Sequence, residues 1–316
     1  MLNTILETCA GTLTQGLIYA ILSYGIFITY KILDFPDLTV DGSFPLGAAV
    51  TAVLLTRGVN AWLTLPVSLL IGAAAGLCTG LIHVRAKVRD LLAGIITMTA
   101  LYSINLQIAG SNLTVERAVD TIYTSAPVMA VLGGVPLLYR KLLVSLVLVV
   151  LIGLVLEWYF STKNGLLLRA VGDNDTLVTT LAVDKGRMKI LGLVIANALV
   201  ALAGCVVCHE QRSFSATMGT GQLVYGLAAV IIGISTMNFF ADSPIARKLR
   251  NIRGLGWLAA PAGTTAVILG SILYKLCIQA ALSMGLPANM MKLITAMLFL
   301  LVLVLSGRKG EAIIHA

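Results

Sequence analysis

Charge is what this sequence has least of. Only 11% of its 316 residues are Asp, Glu, Lys or Arg, against about a quarter in an ordinary soluble domain. Hydrophobic residues make up 58%, and the mean hydropathy is +0.96. A chain this poor in charge cannot clothe a water-facing surface, which excludes an ordinary soluble domain. No G-x-x-x-x-G-K-[ST] loop occurs, so the chain has no ATP cradle of that kind. Basic residues interleaved with aromatics are also missing, so the net charge of +8 does not point to nucleic acid. Met1 to Thr14 holds no Lys or Arg, so no basic region of a cleaved signal peptide is expected. The five cysteines (Cys9, Cys78, Cys205, Cys208, Cys277) lie mostly in apolar runs, where a thiol acts as a small hydrophobe, and no metal site is expected.

What the chain has instead is long apolar runs. A hydrocarbon core about 30 Å thick needs roughly 20 apolar residues per helix. Such runs cover Gln15 to Leu33, Phe44 to Leu55, Trp62 to His83, Leu91 to Ala109, Leu142 to Phe160, Ile190 to Cys208, Leu223 to Phe240, Leu258 to Ala280 and Met290 to Ser306. They are too long and too evenly apolar for the alternating strands of a membrane barrel. The expectation is a single all-α polytopic membrane domain, residues 1–316, with about eight to ten crossings. Ser111 to Tyr139, less apolar and holding Glu116, Arg117 and Asp120, is expected to lie outside the hydrocarbon.

Basic residues fall in blocks between the runs: Arg85, Lys87 and Arg89; Lys163, Arg169, Lys185, Arg187 and Lys189; Arg247, Lys248, Arg250 and Arg253; Arg308 and Lys309. All four blocks fall on one side, which the positive-inside rule makes cytoplasmic, with the N-terminus outside and the C-terminus inside. FPDLTVDGSFPLGAA and FSATMGTGQLVYGLAA share Phe35/Phe214, Gly42/Gly221, Gly47/Gly226 and Ala49/Ala228 at a constant offset of 179 residues. Five crossings separate the copies, so the second is inverted. Two inverted repeats with broken helices are expected, about 12–140 and 190–306, around a cytoplasmic loop at 161–189.

The first break holds Asp34, Asp37 and Asp41 with Pro36 and Pro45. Proline stops regular helix, and irregular backbone at membrane depth is tolerated only inside protein or beside a wet cavity. Asp37 and Asp41, with Gly42, Phe44, Phe214 and Gly221, read either as a gate along a translocation path or as turn residues that cap the next helix. Polar residues also recur at helical spacing: Gln15, Tyr19 and Ser23 in the first span, and Thr99, Ser103 and Gln107 in the fourth. Such stripes should avoid lipid and face other helices or a pore, with Tyr19, Ser23 and Ser103 the pathway candidates. Gly72, Gly76 and Gly80 should let a neighbouring helix approach closely. Cys205, Cys208 and His209 spell the C-x-x-C-H pattern of haem attachment, but with no second copy and no evident distal ligand.

The loop 161–189 carries GLLLRAVGDNDTLVTTLAVD. Asp173, Asn174 and Asp175 offer helix N-caps, and Leu177, Val178, Leu181 and Ala182 give the following turns exposed apolar knobs that want a partner's groove. This stretch, with ILDFPDLTVDGSFPLGAA, LLAGIITMTALYSINLQIAG and MGTGQLVYGLAAVIIG, resembles the branched-chain amino acid and ribose permease superfamily of ABC importers. The branch it looks like is the one of tryptophan- and tyrosine-type permeases. The likeness spans nearly the whole chain. It implies a cytoplasmic ATPase subunit that binds ATP and Mg and docks on Gly172 to Ala182, an extracytoplasmic solute-binding protein, a permease dimer within membrane lipid, and no cofactor or catalytic residue in this chain. The pattern departs from the family at Asp175, where Pro is usual, and at Ala182, where Gly is usual. An ion-coupled secondary transporter would also explain inverted broken helices, but it normally needs carboxylates inside its spans, and few occur outside Asp34 to Asp41.

Overall fold

The computed structural model describes residues 2–173, 184–241, 263–285, 287, 290, 293–301 and 304. Helix α1, Leu2–Ile26, continues as a π-helical stretch, Phe27–Ile32. An irregular turn leads to α2, Val40–Thr56, then α3, Ala61–Val84, and α4, Asp90–Ala109. After strand β1, Asn112–Thr114, come α5, Ala126–Leu132, α6, Leu137–Ser161, and α7, Lys163–Asp173. The rest runs through α8, Lys185–Gln211, β2, Ser213–Ser215, α9, Gln222–Ala241, and α10, Gly263–Ser283. Among the described residues six helices are long and apolar enough to cross a membrane, while Val40–Thr56 and Gln222–Asn238 are shorter apolar helices. The protein is an all-α polytopic membrane protein.

Small residues decide how the helices meet. Gly72 and Gly76 of α3 lie so close to the backbone of α8 at Asn197 and Leu193 that a β-carbon has no room. Gly80 meets Ile190 of the same helix. The order of these contacts makes α3 and α8 antiparallel along their full length, as close backbone approach through small-xxx-small spacing permits. Gly47 of α2 and Gly204 of α8 extend this seam to α2, against Ala201 and Phe44. A second seam joins α9 to α10, where Gly233 abuts Ala266 and Gly270 abuts Ala229. Helix α1 lies between the seams, with Gly25 on Ala196 of α8 and Gly16 on Ile272 of α10. Gly186 beside Val84 brings the loop with Arg85, Lys87 and Arg89 next to Lys185, Arg187 and Lys189, which forms one basic side. On the opposite side β1 pairs with β2 in register Leu113↔Phe214.

Three expectations need correction. Helix α2 starts at Val40, so Asp41, Gly42 and Ser43 belong to its first turn, and the irregular turn is confined to 33–39. Pro45 sits inside α2 rather than ending it. Proline at this position withholds the hydrogen bond that Asp41 O would receive four residues on, and Gly219 packs against that freed carbonyl instead. The loop 161–189 opens with helix α7, so Asp173 lies within a helix rather than capping the start of one. Leu168 and Val171 are buried there, and Gly172 lies directly on Ile32 O, so burial of one apolar face holds the segment helical. The positions Asn174, Leu177, Val178, Leu181 and Ala182 lie outside the described residues.

Replacing Gly76 with leucine forces a side chain into the α3–α8 seam. Overpacking of about 1–3 kcal/mol or more is expected, seen as a lower melting temperature of the detergent-solubilised protein. The same change at Gly58, which has nothing within 4 Å of its β-position, tests instead the strain of its positive φ and should spare the seam.

Candidate functional site

The first turn of α2 lies against the middle of α8, and the side chains around it satisfy one another. Asp37 is fully buried; its Oδ1 accepts from Thr39 N at 2.9 Å and its Oδ2 from Asn197 Nδ2 at 2.7 Å. Asn197 Oδ1 in turn accepts from Ser43 Oγ at 2.6 Å. The Thr39 hydroxyl meets that of Thr79 on α3 at 2.8 Å. A buried carboxylate without such donors would be costly, and here the network joins the irregular turn to α8 and α3.

Asp41 reaches further along the chain. Its Oδ2 accepts from Gly221 N at 3.0 Å and its Oδ1 from Leu223 N at 2.9 Å. Those amides belong to the start of α9, so the carboxylate caps a helix about 180 residues distant rather than the helix it sits in. Free N–H groups and the helix dipole both favour a negative charge at that point. Gly221 makes the turn possible, because its φ of +87° is one that side-chain-bearing residues rarely adopt. The two matching sequence breaks thus come together in space, joined by Asp41.

Above this contact aromatic rings converge from α1, α2, α9 and α10. The Tyr19 ring lies 4.7 Å from that of Tyr225 and 6.0 Å from that of Phe44, and Tyr225 lies 4.8 Å from Tyr274. Lys275 Nζ sits 3.9 Å from the centre of the Tyr19 ring and 5.3 Å from that of Tyr225. Ser271 Oγ donates to Ser23 Oγ at 2.9 Å, which itself donates to Tyr19 O. At the rim, Lys141 pairs with Glu210 at 3.0 Å.

Of the residues singled out in the sequence, Tyr19, Ser23, Asp41, Phe44 and Gly221 share this region. Asp37 belongs to the network below it. Gly42 packs on Met98 and Leu101 of α4, and its carbonyl accepts from Asn105 Nδ2 at 3.1 Å. Phe214 is buried on β2. Ser103 does not join them: with Thr99 and Gln107 it lies exposed on the outer face of α4, since Thr97, Leu101 and Asn105 take the inward face. Cys205, Cys208 and His209 are buried in helix packing, with His209 Nε2 against Thr64 Oγ1 at 2.8 Å. Sequence reasoning missed Asn197, Lys275, Tyr225 and Gln222. Asn197 and Lys275 each interrupt a long apolar run, a signal that by itself marks a site in a membrane helix.

Buried polar contacts at two matched helix breaks, in an otherwise apolar bundle, are the anatomy of a membrane permease. Comparison with known proteins names the kind. Residues 8–303 match the family described as branched-chain amino acid transport system, permease component, and the chain belongs to it. The chain is 35% identical over 290 residues to a tyrosine transport system permease protein of Clostridioides difficile, covering 92% of this chain and 88% of that one. It is 26% identical to the ribose import permease RbsC of Haemophilus influenzae, over 72% of this chain and 68% of that one. To a probable branched-chain amino acid transport permease, LivH, of Methanocaldococcus jannaschii it is 27% identical over 71% of this chain and 72% of that one. No solved structure matches the chain. The relatives are permease components of transport systems, not catalytic enzymes.

Asp37→Ala takes the acceptor from Thr39 N and one of the two acceptors from the Asn197 amide, which keeps Leu193 O, and should cost about 1–3 kcal/mol. Asp41→Ala removes the cap of α9 and should cost about 1–2 kcal/mol, whereas Asp41→Asn keeps one acceptor oxygen and should cost less. Thermal melting in detergent checks the order, and equal melting of Asp41→Ala and the wild type would refute the capping role.

Proposed function

We propose that this chain is the membrane-spanning permease subunit of an ATP-driven importer that moves an aromatic amino acid from an extracytoplasmic solute-binding protein into the cytoplasm. The observation that carries the reading is the likeness to a tyrosine permease along nearly the whole chain, with aromatic rings gathered where the two helix breaks meet. The two breaks belong to inverted repeats, about 12–140 and 190–306, between which the path runs. Sequence supports the basic side as cytoplasmic, with the N-terminus outside and the C-terminus inside.

ATP and Mg are bound by a separate cytoplasmic ATPase subunit. It docks on the segment that begins with Gly172 and Asp173 at the end of α7 and continues through Asn174, Leu177, Val178, Leu181 and Ala182. The seat of Gly172 on Ile32 O supports this reading, because it ties a docking segment to the π-helical stretch that follows α1. A second copy of the chain completes the complex. In its favour, α4 turns Thr99, Ser103 and Gln107 outward, and polar groups on a membrane helix are better covered by protein than by lipid. By contrast the exposed residues of α6, among them Leu146, Val147, Val150, Leu151 and Leu154, suit hydrocarbon.

Pull-down of the tagged chain from native membranes should bring an ATPase polypeptide with it. Leu177→Asp, which buries an unpartnered carboxylate at the docking contact, should abolish that capture while the chain still elutes as the wild type does. Proteoliposomes that hold the whole complex should take up labelled L-tyrosine only with ATP. Uptake by this chain alone, driven by an ion gradient, would refute the importer reading and leave a secondary transporter.

A further inference from the structure

We infer that Lys275 is the docking point for the carboxylate of the transported amino acid, with Gln222 receiving its ammonium group and Tyr19, Tyr225 and Phe44 flanking its side chain. The inference rests on the amino acid import proposed above. Lys275 lies in the apolar run TTAVILGSILYKLCIQAALS of α10, where a cation is costly and calls for a function. Among the described residues no carboxylate lies within ion-pair distance of it, and Glu210 is held by Lys141 at 3.0 Å. What Lys275 does have is the faces of Tyr19 and Tyr225, at 3.9 and 5.3 Å. Ring faces hold a cation less strongly than a carboxylate with matched hydrogen bonds does, so the ammonium keeps an affinity for an anion.

A second group in the same place also lacks its complement. Gln222, first residue of α9, donates through Nε2 to Met218 O at 2.8 Å, but its buried Oε1 has no partner in hydrogen-bond geometry. Its amide lies beside the Tyr19 hydroxyl. A buried acceptor left open costs free energy unless a donor arrives. An amino acid supplies both complements at once, an anion for Lys275 and N–H donors for Gln222. Tyr19, Gln222 and Lys275 are each partly exposed amid buried neighbours such as Leu17, Leu223 and Tyr274.

The test uses the complete transporter in proteoliposomes, with the binding protein held in excess so that its selectivity is common to all variants. Lys275→Met should lower uptake of labelled L-tyrosine about 10- to 100-fold, the range for loss of a charge-assisted hydrogen bond, and Lys275→Arg should restore most of it. Wild-type uptake by Lys275→Met would overturn the inference and leave amino acid import standing. A wild-type transporter that carries ribose and no amino acid would overturn both. Should Lys275→Met fail to assemble, the wild-type permease–ATPase complex in nanodiscs decides. Bound L-tyrosine should be displaced by phloretate, which keeps the carboxylate, more readily than by tyramine, which keeps only the amine. The reverse order would overturn the assignment.

Discussion

An interrupted helix in an apolar bundle exposes amide and carbonyl groups that lipid cannot satisfy, so each interruption must find its hydrogen bonds within the protein. The structure meets this constraint by making its two interruptions serve each other. Asp41 gives its carboxylate to the amides of Gly221 and Leu223, and Gly219 closes over the carbonyl that Pro45 leaves unbonded. Asp37, Asn197, Ser43 and Thr39 complete the arrangement below. The apolar helices can stop half-way only because these few polar residues accept what the stops leave open.

Around this point the bundle is held by two seams of different partners but one chemistry. The α3–α8 and α9–α10 pairs both meet through glycines in direct contact with backbone. Without a hydrophobic force between helices in lipid, such contacts are how helices hold together, through dispersion over closely fitted surfaces. They leave no room for an added side chain. The junction between them is built differently, from tyrosine rings, serine hydroxyls and a lysine, groups that can exchange partners at little cost.

One side of the α3–α8 seam was legible in the sequence, because Gly72, Gly76 and Gly80 recur at helical spacing, whereas the glycines of the α9–α10 seam do not recur in that way. So were six of the nine spans, since length and hydropathy fix them. The fate of Ser103 was not: spacing identifies a polar stripe but not which side of α4 the neighbours occupy, and Thr97 and Asn105 won the inward face. The partner of Asp41 was hidden for the same reason. Capping normally acts within three residues, and nothing local tells a carboxylate to cap a helix at residue 222. The constant offset between the two breaks held that information, since it marked them as a matched pair before any contact between them was known.

Lys275 and Gln222 differ from Asp37 and Asn197 in one respect that matters for a permease. The lower network is closed, with the Asp37 carboxylate and both ends of the Asn197 amide matched by protein groups. The upper one is open, with a cation that among the described residues is held by rings and an amide oxygen unmatched. A closed polar network specifies a structure, and an open one stores an interaction for something that arrives later. Both lie within a few turns of one another, so the closed network supplies the rigid floor against which the open groups can be held in position.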